Sequence, residues 1–136
     1  MSGILGISVT GLNAVAARIA NAAENIVNAS STSSLPKNAG DAYTGYAPKD
    51  VISLSDSVAG NNLGVHTQSI ARTPAYNATY DPNSAQANAQ GLVATPNVDL
   101  AGEIVSSITA KVDYAANAAV IKIANKTEKA LLDIKT

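Results

Sequence analysis

The sequence contains no cysteine, no phenylalanine and no tryptophan, and only one histidine. Without cysteine there is no disulfide, no thiolate metal ligand and no thiol nucleophile. With five tyrosines as the only aromatic residues, few side chains are large enough to fill a private core. Charge is scarce as well. Charged residues make up 14% of the chain, against about 25% in a typical soluble domain. The formal net charge of −1 leaves no electrostatic footprint for nucleic acid or an anionic membrane surface. No run reaches the roughly 18–20 apolar residues of a membrane span, so no direct span is expected. Ser2 to Ile7 has no positive flank and only a short apolar run, so no cleavable signal is expected. An exported location would then need a route other than general secretion.

What is present falls into three zones, 1–30, 31–96 and 97–136. In the first, Leu5, Leu12, Ile19 and Ile26 recur every seven residues, with Val9, Val15, Ala16 and Ala23 between them. This spacing predicts a helix over 4–28, capped by Ser2 and ended by the Ser30–Ser34 stretch and Pro36. Its other side is nearly uncharged: Arg18 and Glu24 are the only charges, among Ala, Ser, Thr, Asn and Gly. Each is read either as solvated or as half of an ion pair between subunits, with Glu103, Lys111 and Asp113 as candidate partners.

The middle zone loses helical period. Alternation at Val51–Leu54 and Gly64–Ile70 predicts short strands. Asp81-Pro82-Asn83 reads as a turn and Ser84 to Gly91 as a loop.

The last zone predicts a helix over 97–134, with Asn97 or Asp99 as its cap and Glu103 near its positive dipole end. Val105, Ile108, Val112, Ala115 and Ala119 form an apolar seam, continued by Ile123, Thr127, Ala130 and Ile134 after a stutter. Lys122, Lys126, Lys129 and Lys135 load its final turns. At about 55 Å this helix exceeds the roughly 35–40 Å of a compact globule of this length, so it must project. The expected fold is mainly α with a small, irregular β lobe, the terminal helices pairing through their seams as an antiparallel or bundle-like coiled coil.

Catalytic, metal and cofactor readings find no support. His66 stands in a strand with no cysteine and no acidic pair in sequence reach. Ser34-Leu35-Pro36-Lys37 matches S-x-x-K but carries a proline where a helix is needed. Asp81-x-Asn83 opens like a calcium loop, but Gln86 and Leu92 stand where Gly and Glu are required. No polar constellation meets the geometry of an enzyme site, and no small-molecule substrate is expected.

Two stretches carry a family resemblance. Ser8-Val9-Thr10-Gly11-Leu12-Asn13-Ala14, Arg18 and Asn25-Ile26-Val27-Asn28-Ala29 resemble the amino-terminal signature of flagellar rod and hook proteins. Tyr80-Asp81-Pro82, Ala87-Asn88-Ala89, Gly91-Leu92-Val93 and Pro96-Asn97-Val98-Asp99, followed by Glu103, Ala110, Tyr114 and Asn117, resemble the YDP-to-PNV run and carboxyl helix of one proximal-rod type. The chain departs from that pattern at Val27, at Ser84-Ala85 where His-Pro is usual, at Leu92 where Tyr is usual, and at Val112-Asp113 where an Arg is common.

The resemblance implies a structural subunit that assembles helically with its own copies and with other rod proteins. It also implies passage through the flagellar type III export apparatus without a cleaved signal, and a place in the periplasmic rod. The expected assembly interface is Leu5, Leu12, Arg18, Ile19, Asn25, Ile26 and Asn28 on the first helix. On the second it is Asn97, Val98, Glu103, Val105, Ile108, Val112, Tyr114 and Asn117. Another rod or hook component, or a helical adaptor outside flagella, are the competing readings.

Overall fold

The computed structural model describes residues 2–38, 40–58 and 61–134; Lys135 lies outside the described residues. The element order is α1 (Ser2–Asn28), β1 (Lys49–Val58), β2 (Asn61–Ala71), β3 (Tyr76–Tyr80), β4 (Leu92–Pro96) and α2 (Leu100–Ile134). The fold is thus two long helices with a small β region between them. Helix α1 already includes Ser2, so Ser2 lies in its first turn rather than capping it. Asp99 is the cap of α2: its carbonyl accepts the Glu103 N–H at 2.9 Å. Its carboxylate also lies over Gly102, where an added Cβ would sit 2.6 Å from Oδ2.

Strands β1 and β2 form an antiparallel ribbon in which Val51 faces Ser69 and Leu54 faces His66. Strands β3 and β4 form a second antiparallel pair, with Tyr76 opposite Pro96 and Tyr80 opposite Leu92. This second pair has no counterpart among the strands expected from alternation. Its signal lies in β-forming Tyr, Thr and Val on either side of the 81–91 turns. Gly91 closes those turns at φ 74°, and a Cβ there would press on the Tyr80 ring at 2.9 Å. Asn88 Oδ1 accepts the Gln90 and Leu92 N–H groups at 2.9 Å each, which fixes the return into β4. Beyond β4, Ser33 exchanges two backbone hydrogen bonds with Ala94, burying Val93 and Ala94.

The helices pack antiparallel. Asn25 meets Glu103, Arg18 meets Asp113, and Gly11 lies against the Asn117 side chain, where an added Cβ would sit at 3.1 Å. On α1 the contact residues Gly11, Arg18 and Asn25 are seven apart, with the buried Ser8, Val15 and Ala22 on the same side of the helix. On α2 they are Glu103, Ala110 and Asn117, one every two turns. These are small or polar side chains, and they bring the backbones close. The apolar seam expected to make the pairing does not make it. Val105, Ile108 and Val112 are 63%, 60% and 63% exposed, whereas Ala110 is 0% exposed. At 100° per residue the two sets lie on opposite sides of α2, about half a turn apart. On α1, Leu5, Leu12, Ile19 and Ile26 are half-buried along the flank of the contact. By this register Ser2 stands level with Lys126, so the last turns of α2 run past the start of α1, as its length requires. Those turns end in Leu131-Leu132-Asp133-Ile134, with Lys129 one turn earlier.

The reversal has a direct test. Ile108→Ser should leave stability within about 0.5 kcal/mol of wild type, as expected of an exposed site. Ala110→Leu should cost about 1–3 kcal/mol through overpacking. Denaturant titration of the two variants separates this arrangement from a seam-inward pairing, which requires the opposite order.

Candidate assembly interface

The helix pair is held at one end by a buried polar node. Asn25 is 0% exposed and Glu103 is 7% exposed. The Asn25 amide donates to Glu103 Oε1 and to the Lys49 carbonyl, each at 2.9 Å. Its oxygen accepts the Tyr46 hydroxyl at 2.8 Å and the Lys49 N–H at 3.2 Å. The full hydrogen-bonding capacity of an amide side chain is thereby used. Glu103 also accepts Arg72 Nη2 at 3.0 Å. Arg72 reaches on to both Asp50 carboxylate oxygens and to the Asn97 carbonyl at 3.0 Å. One cluster therefore ties α1, the segment entering β1, the exit of β2 and the start of α2. Among the described residues no buried side-chain nitrogen or oxygen lacks a partner.

The charges agree with this geometry. The Asp50 carboxylate and then Glu103 hold the Arg72 guanidinium well above its ordinary range, against the opposing effect of burial. Burial, together with Glu24 and Glu103, pushes the Tyr46 phenol above its usual 10.0. The cavity beside the node, about 360 Å³, is lined by Arg18, Asp50, Arg72, Asp99 and Glu103 among others; these charges compensate one another within the fold.

The residues expected at an assembly interface divide into two groups. Asn25, Glu103 and Asn97 look inward. Asn97 donates to the Pro74 carbonyl at 3.0 Å and accepts Asn77 Nδ2 at 3.2 Å. Arg18 is paired within the chain, to Asp113 at 3.2 Å, with a third or more of both side chains in solvent; such a pair contributes about 1 kcal/mol at most. Asn28 and Asn117 donate back to their own helix, to the Glu24 and Asp113 carbonyls. Val98 is half-buried where the chain enters α2.

Val105, Ile108 and Val112 look outward; Tyr114 is exposed but stands one turn from Ala110, on the α1 side of α2, and Leu5, Leu12, Ile19 and Ile26 are half-buried on the flank of α1. Glu24 is exposed. His66 faces solvent with Nδ1 3.8 Å from Asp56, and among the described residues no group of three acidic or histidine side chains converges as a metal site. Sequence reasoning missed Arg72 and Tyr46, whose roles depend on contacts distant in the chain.

The node and the lone helix asparagine should respond differently to truncation. Asn25→Ala takes the acceptor from the Tyr46 hydroxyl and the Lys49 N–H, while Glu103 keeps Arg72 and the Lys49 carbonyl keeps Asn21; the loss should be about 1–3 kcal/mol overall. Asn28→Ala removes one local bond and should cost less than about 1 kcal/mol. Chemical denaturation of both variants measures the difference.

Tyr46 adds a pH dependence. Its folded-state pKa lies above the unfolded value, so its contribution is complete below about pH 10 and is lost as pH rises through the folded value. Tyr46→Phe should therefore flatten the alkaline limb of a stability–pH profile.

Comparison with known proteins bears on the whole chain. Residues 89–134 match the family described as flagellar basal body rod FlgEFG protein C-terminal. The chain is 31% identical over 135 residues to the flagellar basal-body rod protein FlgC of Salmonella typhimurium, covering 98% of this chain and 94% of that protein. It is 30% identical to the FlgC protein of Yersinia enterocolitica over the same length and coverage. To the FlgC protein of Escherichia coli O6:H1 it is 31% identical over 120 residues, covering 87% of this chain and 85% of that protein. With a likeness of this extent, spanning both helices and the β region between them, the chain belongs to the family of flagellar basal-body rod proteins FlgC.

Proposed function

We propose that this chain is a structural subunit of the proximal flagellar rod that assembles helically by docking its outward helix faces on neighbouring subunits. The neighbours are further copies and other rod proteins, and together they form the drive shaft and the wall of the export channel. The subunit reaches the periplasm through the flagellar type III export apparatus. Among the described residues no helix is long and apolar enough to cross a membrane.

The observation that carries the assembly reading is the outward seam of α2. Val105, Ile108 and Val112 stand in a row with about three-fifths of their surface in water. A contiguous apolar stripe of this kind on a helix marks a protein-binding face. The rod family supplies the partners: subunits arranged so that each covers the next. The inner node supports the same reading. It completes the polar chemistry of the monomer without the seam, which leaves the seam free for assembly.

The test is Val112→Glu in cells lacking the native chain. The isolated variant should keep wild-type circular dichroism, because Val112 is exposed in the monomer. Buried at a subunit contact, the unpaired carboxylate costs several kcal/mol in every copy. The variant should be absent from isolated basal bodies and the cells should not swim. Wild-type swimming would contradict the assembly role of this face.

A further inference from the structure

The β1–β2 ribbon is turned the unexpected way round. Its α1-facing side carries Val51, Ser53, Val65 and Thr67, which line cavities of about 290 and 330 Å³ against α1. The outward side carries Ile52, Leu54 and Ile70, all exposed. In the register, Ile52 lies opposite Gln68 and next to the Asp50–Ile70 pair, so the three apolar side chains form one stripe along the ribbon. A ribbon of two strands is marginal in water by itself, and here its better apolar face is the uncovered one.

We propose that this outward face of the hairpin is the surface on which the α2 seam of a neighbouring copy docks; the proposal rests on the rod-subunit reading above. Three observations select this occupant. First, the two stripes match in chemistry, Ile52, Leu54 and Ile70 on one side and Val105, Ile108 and Val112 on the other.

Second, their charged margins are complementary. Asp56 ends the hairpin stripe with more than half of its side chain exposed; Asp50, at the other end, is already paired with Arg72. Lys111 and Lys122 stand along one side of the α2 seam, both exposed, and offer the Asp56 carboxylate an opposite charge.

Third, the directions suit a repeating contact. The hairpin contacts α1 through residues such as Thr10 and Asn21, and α2 contacts it through Gly11, Arg18 and Asn25. These faces are about a quarter turn apart on α1. The two outward stripes are therefore different surfaces pointing different ways. A contact between them is heterologous, and its repetition gives a ring or a helix instead of a two-fold dimer. The hairpin face, about 33 Å long and one ribbon wide, is smaller than the roughly 800 Å² per partner of a stable binary complex. The contact accordingly holds only where several are made at once.

The chain has no cysteine of its own, so introduced cysteines report contacts without background. Gln68→Cys in one tagged chain is co-expressed with Val105→Cys, Ala115→Cys or Ala119→Cys in a second, in cells lacking the native chain, and isolated basal bodies are oxidised. At least one of the three pairs should give a mixed disulfide, and two Gln68→Cys chains should give none, since only cysteines with Cα atoms within about 7 Å bridge. Incorporation of both chains without any mixed disulfide, or with Gln68→Cys homodimers alone, overturns hairpin docking and leaves the rod reading standing. Absence of the tagged wild-type chain from basal bodies overturns both. A second variant reads the face independently. Leu54→Glu should keep the circular dichroism of the free chain and be lost from basal bodies, and its normal incorporation overturns the proposal.

Discussion

The structure depends on one amide. Asn25 is the point at which α1, the entry to β1 and the start of α2 are fixed to one another, and each of its polar atoms is used. In a chain without Phe or Trp no large apolar cluster is available to do this. Among the described residues, Val93 is the largest apolar side chain that is fully buried, alongside Asn25 and Pro48. A core of small residues holds elements close but grips them weakly, because each Ala removes little apolar area from water. The directional hydrogen bonds of Asn25, Glu103 and Arg72 supply the positional definition that packing does not. Their cost is contained because every member is paired, and a fully satisfied buried network avoids the penalty of a partly satisfied one.

The second consequence of a small-residue core is the reversal of faces. Helix α2 presents Glu103, Ala110 and Asn117 to α1 and keeps Val105, Ile108 and Val112 outside. The hairpin does so in part, with Val51, Ser53, Val65 and Thr67 toward α1 and Ile52, Leu54 and Ile70 outward. Two elements of different period thus share one feature: close approach within the subunit and apolar side chains left on the outside. In the assembly proposed above, that arrangement accounts for the low charge of the sequence, because a covered surface cannot carry charges without partners.

Much of this was legible in the sequence. Both helices follow from their periods and from Pro96 and Asp99, and the first ribbon follows from alternation at Val51–Leu54 and Gly64–Ile70. Family membership follows from the terminal motifs and the stretch from Tyr80 to Asp99. The face of pairing was not legible. Hydrophobic period finds the apolar stripe of α2 but does not say whether the stripe meets the chain's own first helix; here it does not. The weaker heptad of small and polar residues, Gly11, Arg18 and Asn25 against Glu103, Ala110 and Asn117, is the true internal seam, and hydrophobicity does not register it. Strands β3 and β4 are not legible in the sequence, because each is five residues long and they are joined by what reads as a turn and then a loop.

The polar seam has a further effect that an apolar one would lack. Burial of aliphatic side chains is non-directional, and two helices joined only by it can slide past each other by a turn at small cost. The contacts of Asn25 with Glu103, Arg18 with Asp113 and Gly11 with Asn117 each work at a single height, so the axial position of α2 against α1 is set within the subunit. This is the register-fixing use of buried polar groups. It matters because the outward seam and the overhanging end of α2 move with that register. A slip of one turn would displace the outward seam by about 5.4 Å, and the helical assembly proposed above would repeat the displacement in each copy. In that proposal, specificity begins inside the subunit: polar rungs fix where the apolar faces stand, and the apolar faces are the surfaces offered to neighbours.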